Sequence, residues 1–343
     1  VGQANGKLMD RACAATVQVR NAVERALSAL EPGDIVLVAC SGGPDSLALA
    51  AATGWVAKRL GLFAGAVIVD HQLQEGSAEI AAWAASVCGR LELNPVEVVA
   101  VHVGAVGGLE SAARDARYAG LTASAEQQNS AVVLLGHTQD DQAETVLLRL
   151  ARGSGARSLA AMAPVNGLWH RPLLEIPRSV VHESADEVLA QLGEQPWRDP
   201  HNADRQFARV RVRQLLESLG DDLGPGVSVG LARSASMLRD DADGLDELAD
   251  ALFEDVVTIA DGSVSVDINE LEGIPRAIRT RLIRAMCIEI GGVPGDLSRD
   301  HVLALDRLVT QWAGQGPAFL PGGVQAQRAY DRLTVIRPTQ QRE

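Results

Sequence analysis

The residues with the clearest chemical purpose are Ser41-Gly42-Gly43-Pro44-Asp45-Ser46, which follow the apolar run 35–40 and open a helical stretch reaching residue 60. Strand, glycine-bearing turn and helix start together make a phosphate-holding geometry. The unpaired N–H groups of the first turn point outward, and the helix dipole favours negative charge there. Gly42 and Gly43 let the backbone approach a ligand without a Cβ, while Ser41 and Ser46 add hydroxyl donors. Asp45 stands beside the phosphate position, where a carboxylate can hold Mg2+ or a water. A Walker A loop is excluded, because no Gly-Lys-Ser/Thr end supplies a lysine. The competing role for these residues is a serine-capped helix after a glycine turn, and the complete set in strand–helix context argues for phosphate.

The second constellation is His137-Thr138-Gln139-Asp140-Asp141-Gln142-Ala143-Glu144-Thr145. Asp141 and Glu144 share a face at a helix start, where they can hold Mg2+ against phosphates or grip an ammonium group. Thr138-x-x-Asp141 also reads as a capping box, and acidic residues suit any helix N-terminus. The neighbouring phosphate loop favours function. Arg114 and Arg117, one turn apart, suit phosphate oxygens or an RNA backbone as well as a Glu110–Arg114 surface pair. Arg152-Gly153-Ser154-Gly155 is either an anion nest or a helix C-cap, the cap being the simpler reading. Arg209, Arg211 and Arg213 follow the polar run 199–202 on a loop-to-helix passage.

The elements that must position these residues alternate. Short apolar strands are predicted at 35–40, 65–70, 96–101 and 131–136, and helices at 45–60, 77–92, 109–128 and 140–152, after a leading amphipathic helix at 10–30. Such alternation predicts a parallel sheet with helices on both faces and ligands beyond the strands' carboxyl ends. Ser41, Asp70-His71 and Gly136-His137 all fall there. The proline-bearing stretch 160–205 reads as the close of this domain plus an active-site loop. A glycine-rich break near 220–228 gives boundaries of 1–222 and 223–343. The second part is predicted as a smaller helical, α+β domain: a long helix (229–256), alternating runs at 256–268, a helical hairpin (275–291 and 298–313) and a final β segment (328–336).

Composition narrows the function. Hydrophobic residues make up 47% and charged residues 22% of the 343, which is an ordinary globular balance. No apolar run spans a bilayer and no signal peptide is read, so a cytoplasmic protein without membrane partners is expected. Four cysteines without a C-x-x-C pair give no zinc or iron–sulfur pattern. The net charge of −13 argues against indiscriminate nucleic-acid binding, whereas arginine clusters at 205–213 and 276–284 suit a selective RNA binder.

Taken in order, SGGPDS (41–46), VDHQLQEGS (69–77), ESAARDARY (110–118), GHTQDDQAET (136–145), RLARGSG (149–155), RPLLE (171–175) and the run 197–213 resemble the tRNA(Ile)-lysidine synthases, a family of PP-loop ATP pyrophosphatases. The likeness covers the first 220 residues, and the closing LPGG (320–323) run resembles that family's first C-terminal domain. Gln74, His201 and Val210 depart from the family's usual arginine, serine and asparagine. The resemblance implies an adenine nucleotide alpha hydrolase-like PP-loop domain followed by a tRNA-binding one. It also implies lysine joined to C2 of the wobble cytidine of tRNA(Ile) with a CAU anticodon, through an adenylated intermediate that releases pyrophosphate and then AMP. ATP contacts are implied for Ser41, Gly42, Gly43, Pro44, Asp45, Ser46, Val69 and His71, with Mg2+ at Asp45. Lysine falls to Asp141 and Glu144, and tRNA to Arg114, Arg117, Arg209 and Arg213. Catalysis falls to Asp45, Asp141, Glu144 and His137, the last being available to take a proton. A homodimer is compatible with this reading. The alternatives are another PP-loop tRNA modifier such as a 2-thiolase, and a non-catalytic nucleotide-binding module.

Overall fold

The computed structural model describes residues 12–74, 76–104, 108–153, 155–197, 204–260 and 262–337. Two compact units divide the chain, Val1–Leu238 and Arg239–Glu343. The first begins with helix α1 (Ala14–Leu27) and alternates β1 (Ile35–Ala39), α2 (Pro44–Leu60), β2 (Phe63–Asp70), α3 (Ser77–Arg90), β3 (Val96–Ala100), α4 (Leu109–Gln128), β4 (Val132–Leu134) and α5 (Gln139–Leu150). It continues with α6 (Ala156–Leu159), the short strands β5 (Val165–Asn166) and β6 (Trp169–His170), α7 (Arg178–Leu192) and α8 (Ala208–Leu223).

The sheet runs β3-β2-β1-β4-β6-β5 and is parallel apart from the β5–β6 hairpin. Alternation along the central strand divides its side chains between two cores. Val36 and Val38 join α1, α2, α3 and α7 on one face, while Leu37 joins Leu121 and Ala125 of α4 on the other. From β1 the chain goes to β2 and β3 on one side and returns to β4 on the other. The switch point of the sheet therefore lies between β1 and β4, where open α/β sheets bind ligands. The phosphate loop leaves β1 and the His137 segment leaves β4, so topology alone brings the two constellations together.

One element of the first unit differs from expectation. Where a loop was read within 160–205, residues 178–192 form α7, which starts after Pro177 and ends at Gly193 in the left-handed conformation. Val181, Ala185, Val188 and Leu189 bury its inner face in the core beside α2. A fully buried Val or Leu contributes about 1.5–3 kcal/mol, so this face anchors α7 firmly.

The second unit holds an antiparallel sheet, ordered β7 (Val257–Ala260), β8 (Ser263–Asp267), β11 (Arg332–Ile336), β10 (Val324–Ala329) and β9 (Ala318–Leu320). Its core packs Val264, Val266, Leu333 and Val335 against α11 (Arg276–Glu289) and α12 (Arg299–Thr310), with the one-turn α10 (Ile268–Gly273) beside them. The preceding α9 (Val227–Val256) is the long helix expected from sequence. The single closing β segment is in fact a hairpin, turned at Tyr330, whose φ is 54°. A buried pair fixes the two helices: Arg279 Nε donates to Asp306 Oδ1 at 2.7 Å. Among the described residues all four cysteines are free thiols, and no helix is long and apolar enough to cross a membrane.

Candidate active site

The loop after β1 is held by its own last residue. Ser46 Oγ donates to the Gly43 carbonyl at 3.0 Å and accepts the Ser41 N–H at 3.1 Å, which pins the turn and leaves Pro44 at the first helical position of α2. Gly42 has φ +80°, and a Cβ on it would stand 3.1 Å from the Trp83 ring, so both conformation and space require glycine. The Gly42 carbonyl accepts the Trp197 N–H at 3.1 Å. Ser41, Gly42, Gly43, Pro44, Asp45 and Ser46 thus form one anion-facing turn at a helix N-terminus. Across the switch point, Gly136 brings the β4 segment against this turn. A Cβ there would lie 3.2 Å from the Asp45 carbonyl carbon and oxygen. Val69 and His71 stand at the end of β2, and burial, then Arg117, lower the pKa of His71.

At the start of α5 the capping box is complete. Asp141 Oδ2 accepts the Thr138 N–H at 2.8 Å and the Thr138 hydroxyl at 2.7 Å. Its other oxygen accepts Arg178 Nη2 at 2.8 Å. Glu144 is 2% exposed, and its Oε1 accepts both terminal nitrogens of Arg178 at 3.2 Å and Arg213 Nε at 2.9 Å. Asp140 Oδ2 accepts the Arg178 backbone N–H at 2.8 Å, supplying a partner to the first turn of α7. Asp141 and Glu144 are therefore bridged by Arg178, and Glu144 takes Arg213 as a second partner.

Arg178 carries little local signal in the sequence; its one mark is position, three residues past the end of the RPLLE run. Burial disfavours its charge, yet Asp141, Glu144, Asp45 and Asp140 outweigh burial and hold its pKa above the ordinary value. Burial would raise Asp141, but Arg178 and the Thr138 N–H hold its carboxyl below the usual range. A cavity of about 540 Å3 opens over this network, lined by Asp140, Glu144, Arg178, His182, Arg213 and Glu217 among others. His182 Nε2 is 3.1 Å from Asp45 Oδ1, which links the cavity to the phosphate loop.

Behind these residues lies a basic cluster. Arg117 has its Nε shielded from solvent without a hydrogen-bond partner, and burial, with Arg114 and Arg209 adding to it, lowers its pKa. Tyr118 stacks edge-on against Trp169 at 4.7 Å. His137 is pushed down to about 3 by burial, against the pull of Asp141 and helped by Arg117, Arg171 and Arg209. It is neutral at physiological pH and a poor acceptor for an amine proton. Arg213, assigned to RNA from sequence, turns instead onto Glu144. The 199–202 run and the Glu110 side chain lie outside what is described.

A parallel sheet whose switch point carries this glycine-serine turn defines a PP-loop domain, and residues 15–219 match the PP-loop domain family model. Residues 267–334 match the model described as TilS substrate binding domain. The chain is 55% identical over 318 residues to the tRNA(Ile)-lysidine synthase of Thermobifida fusca, covering 92% of this chain and 96% of that one. It is 49% identical to the Salinispora arenicola protein of that name (93% and 96% covered) and 44% identical to that of Mycobacterium tuberculosis (93% and 95%). Among solved structures, the U34-tRNA thiolase NcsA from Methanococcus maripaludis, with its 4Fe–4S cluster, shares the fold. Its TM-score is 0.54 at 20% identity, covering 66% of this chain and 80% of that one. This chain belongs to the tRNA(Ile)-lysidine synthase family.

Proposed function

We propose that this protein joins free lysine to C2 of the wobble cytidine of a tRNA(Ile) with a CAU anticodon. ATP adenylates the C2 oxygen and releases pyrophosphate, and the lysine ε-amine then attacks C2 and expels AMP. The observation that carries this reading is the adjacency of an anion-facing loop and a carboxylate-lined cavity, bridged at Asp45 and His182. The loop N–H groups receive the ATP phosphates. Asp141 and Glu144 supply negative charge for the lysine ammonium; Arg178 holds the Asp141 carboxyl below its usual range, and Arg178 and Arg213 orient Glu144.

Mg2+ fits the donors here. The Asp45 side chain is 30% exposed although its Oδ1 is shielded from solvent, which leaves Oδ2 as the oxygen a cation would reach, and no cluster of three metal-ligating side chains occurs among the described residues. One carboxylate completed by phosphates and water is the usual arrangement for this ion, which would neutralise phosphate charge. Arg114, Arg117 and Arg209 face the RNA backbone, and residues 239–343 add tRNA-binding surface, where exposed Phe319 and Tyr330 offer rings for unstacked bases. The test is an incubation with ATP, labelled lysine and tRNA(Ile) bearing a CAU anticodon. Label should enter the RNA with AMP and pyrophosphate as products. ADP, or label-free RNA, would overturn the reading. A thiolase would need an activated sulfur donor in place of lysine.

A further inference from the structure

We infer that His182 is the positioning residue of Asp45, holding one carboxylate oxygen so that the other meets the divalent cation. The inference rests on the reading of Asp45 as the metal carboxylate. His182 lies one turn after Arg178 on α7, between Val181, which is fully buried, and the cavity. The α7 inner face is anchored in the core, which fixes the backbone that carries the ring. His182 Nε2 stands 3.1 Å from Asp45 Oδ1, although the His182 side chain as a whole is 39% exposed. Both atoms are shut off from solvent, and neither has an aligned hydrogen-bond partner among the described residues. The Asp45 side chain is nonetheless 30% exposed, so its contact with solvent lies elsewhere than Oδ1. One oxygen is thus turned to the imidazole and the other is open to a ligand.

That division suits an ion-binding carboxylate. A carboxylate that ligates a metal is itself hydrogen-bonded, and the partner fixes which lone pair points at the ion. A small rotation brings an imidazole N–H at Nε2 into line with Oδ1, and Asp45 then presents Oδ2 alone. Two further features favour an outer partner over a ligand. Mg2+ prefers oxygen to imidazole nitrogen, and Arg178, already charged toward Asp45, disfavours a second cation on the ring side.

The test is Mn2+ binding to the full chain with α,β-methylene-ATP, read by electron paramagnetic resonance. Loss of an outer-shell partner weakens metal binding by about 10- to 100-fold. His182→Ala should show that loss with a normal circular dichroism spectrum. His182→Gln, whose amide reaches the Nε2 position, should recover most of it. If His182→Ala binds Mn2+ normally while Asp45→Ala does not, the inference fails and the reading of Asp45 stands. If Asp45→Ala also binds normally, both fall. If His182→Gln fails to recover binding, the ring acts as a ligand or wedge and the positioning role is overturned.

Discussion

Replacing Glu144 by glutamine removes one charge and few atoms from the centre of the cavity. Three donors converge on its Oε1: two nitrogens of Arg178 at 3.2 Å and Arg213 Nε at 2.9 Å. Two guanidiniums there face the carboxylates of Asp140, Asp141 and Glu144, and the substitution removes the one charge by which the carboxylates exceed them. The amide oxygen still accepts hydrogen bonds, so Arg178 and Arg213 keep their poses. What is lost is the attraction for a lysine ammonium. A hydrogen bond to a charged group contributes about 1.5–3 kcal/mol, which corresponds to roughly 10- to 150-fold in the Michaelis constant for lysine. The loop of residues 41–46 makes no bond to Glu144, so the constant for ATP should move by less than about threefold. Pyrophosphate release on tRNA reports adenylation and should persist, with adenylated tRNA accumulating because the first step needs no lysine. Steady-state kinetics with labelled lysine, on protein checked for cooperative melting, measures both constants. A variant that loses ATP and Mg2+ use while its lysine dependence stays normal would refute the reasoning and make the pair metal ligands. A variant unchanged in both would leave Glu144 as structural glue between helices.

Three further outcomes are expected. Gly136→Ala places a Cβ 3.2 Å from the Asp45 backbone and should displace the loop by a few tenths of an ångström. Adenylation should slow by about tenfold at nearly normal stability, read as pyrophosphate release. His137, lowered to about 3, is neutral when folded and takes up a proton on unfolding below its unfolded value of 6.5. Its contribution is complete above pH 6.5 and is lost as pH falls toward 3, with a slope of up to about 1.4 kcal/mol per unit. His137→Asn should flatten that acid limb in urea titrations from pH 7 to 4. Arg279→Leu removes the 2.7 Å partner of the buried Asp306, leaving Arg276 at 3.8 Å, and should cost residues 239–343 up to about 3–5 kcal/mol in calorimetry, whereas the Arg279→Leu, Asp306→Leu double variant should lose less.

The parallel part of the sheet was legible because β1 to β4 are short apolar runs bounded by turn residues, and the phosphate loop because six positions must coincide. Asp141 and Glu144 were legible as a pair but not as an ion network, since Arg178 and Arg213 come from helices far along the chain. α7 was hidden by Pro172 and Pro177, read as loop markers although Pro177 only precedes the first turn. The spacing of Val181, Ala185, Val188 and Leu189 was the available helical signal. β5 and β6 hold two residues each, too short for any periodicity. The pKa of His137 depends on burial and on arginines from other elements, which no local pattern encodes.

The packing around Gly42 also gives the protein an intrinsic optical probe. Of its five tryptophans, Trp83 lies against Gly42 and Trp197 is tied to the same residue by its amide. An indole's emission follows the charge and water around it, so filling the loop with a nucleotide's phosphates should change the emission of Trp83. Nucleotide occupancy can then be followed in unlabelled protein, with Trp83→Phe removing the signal.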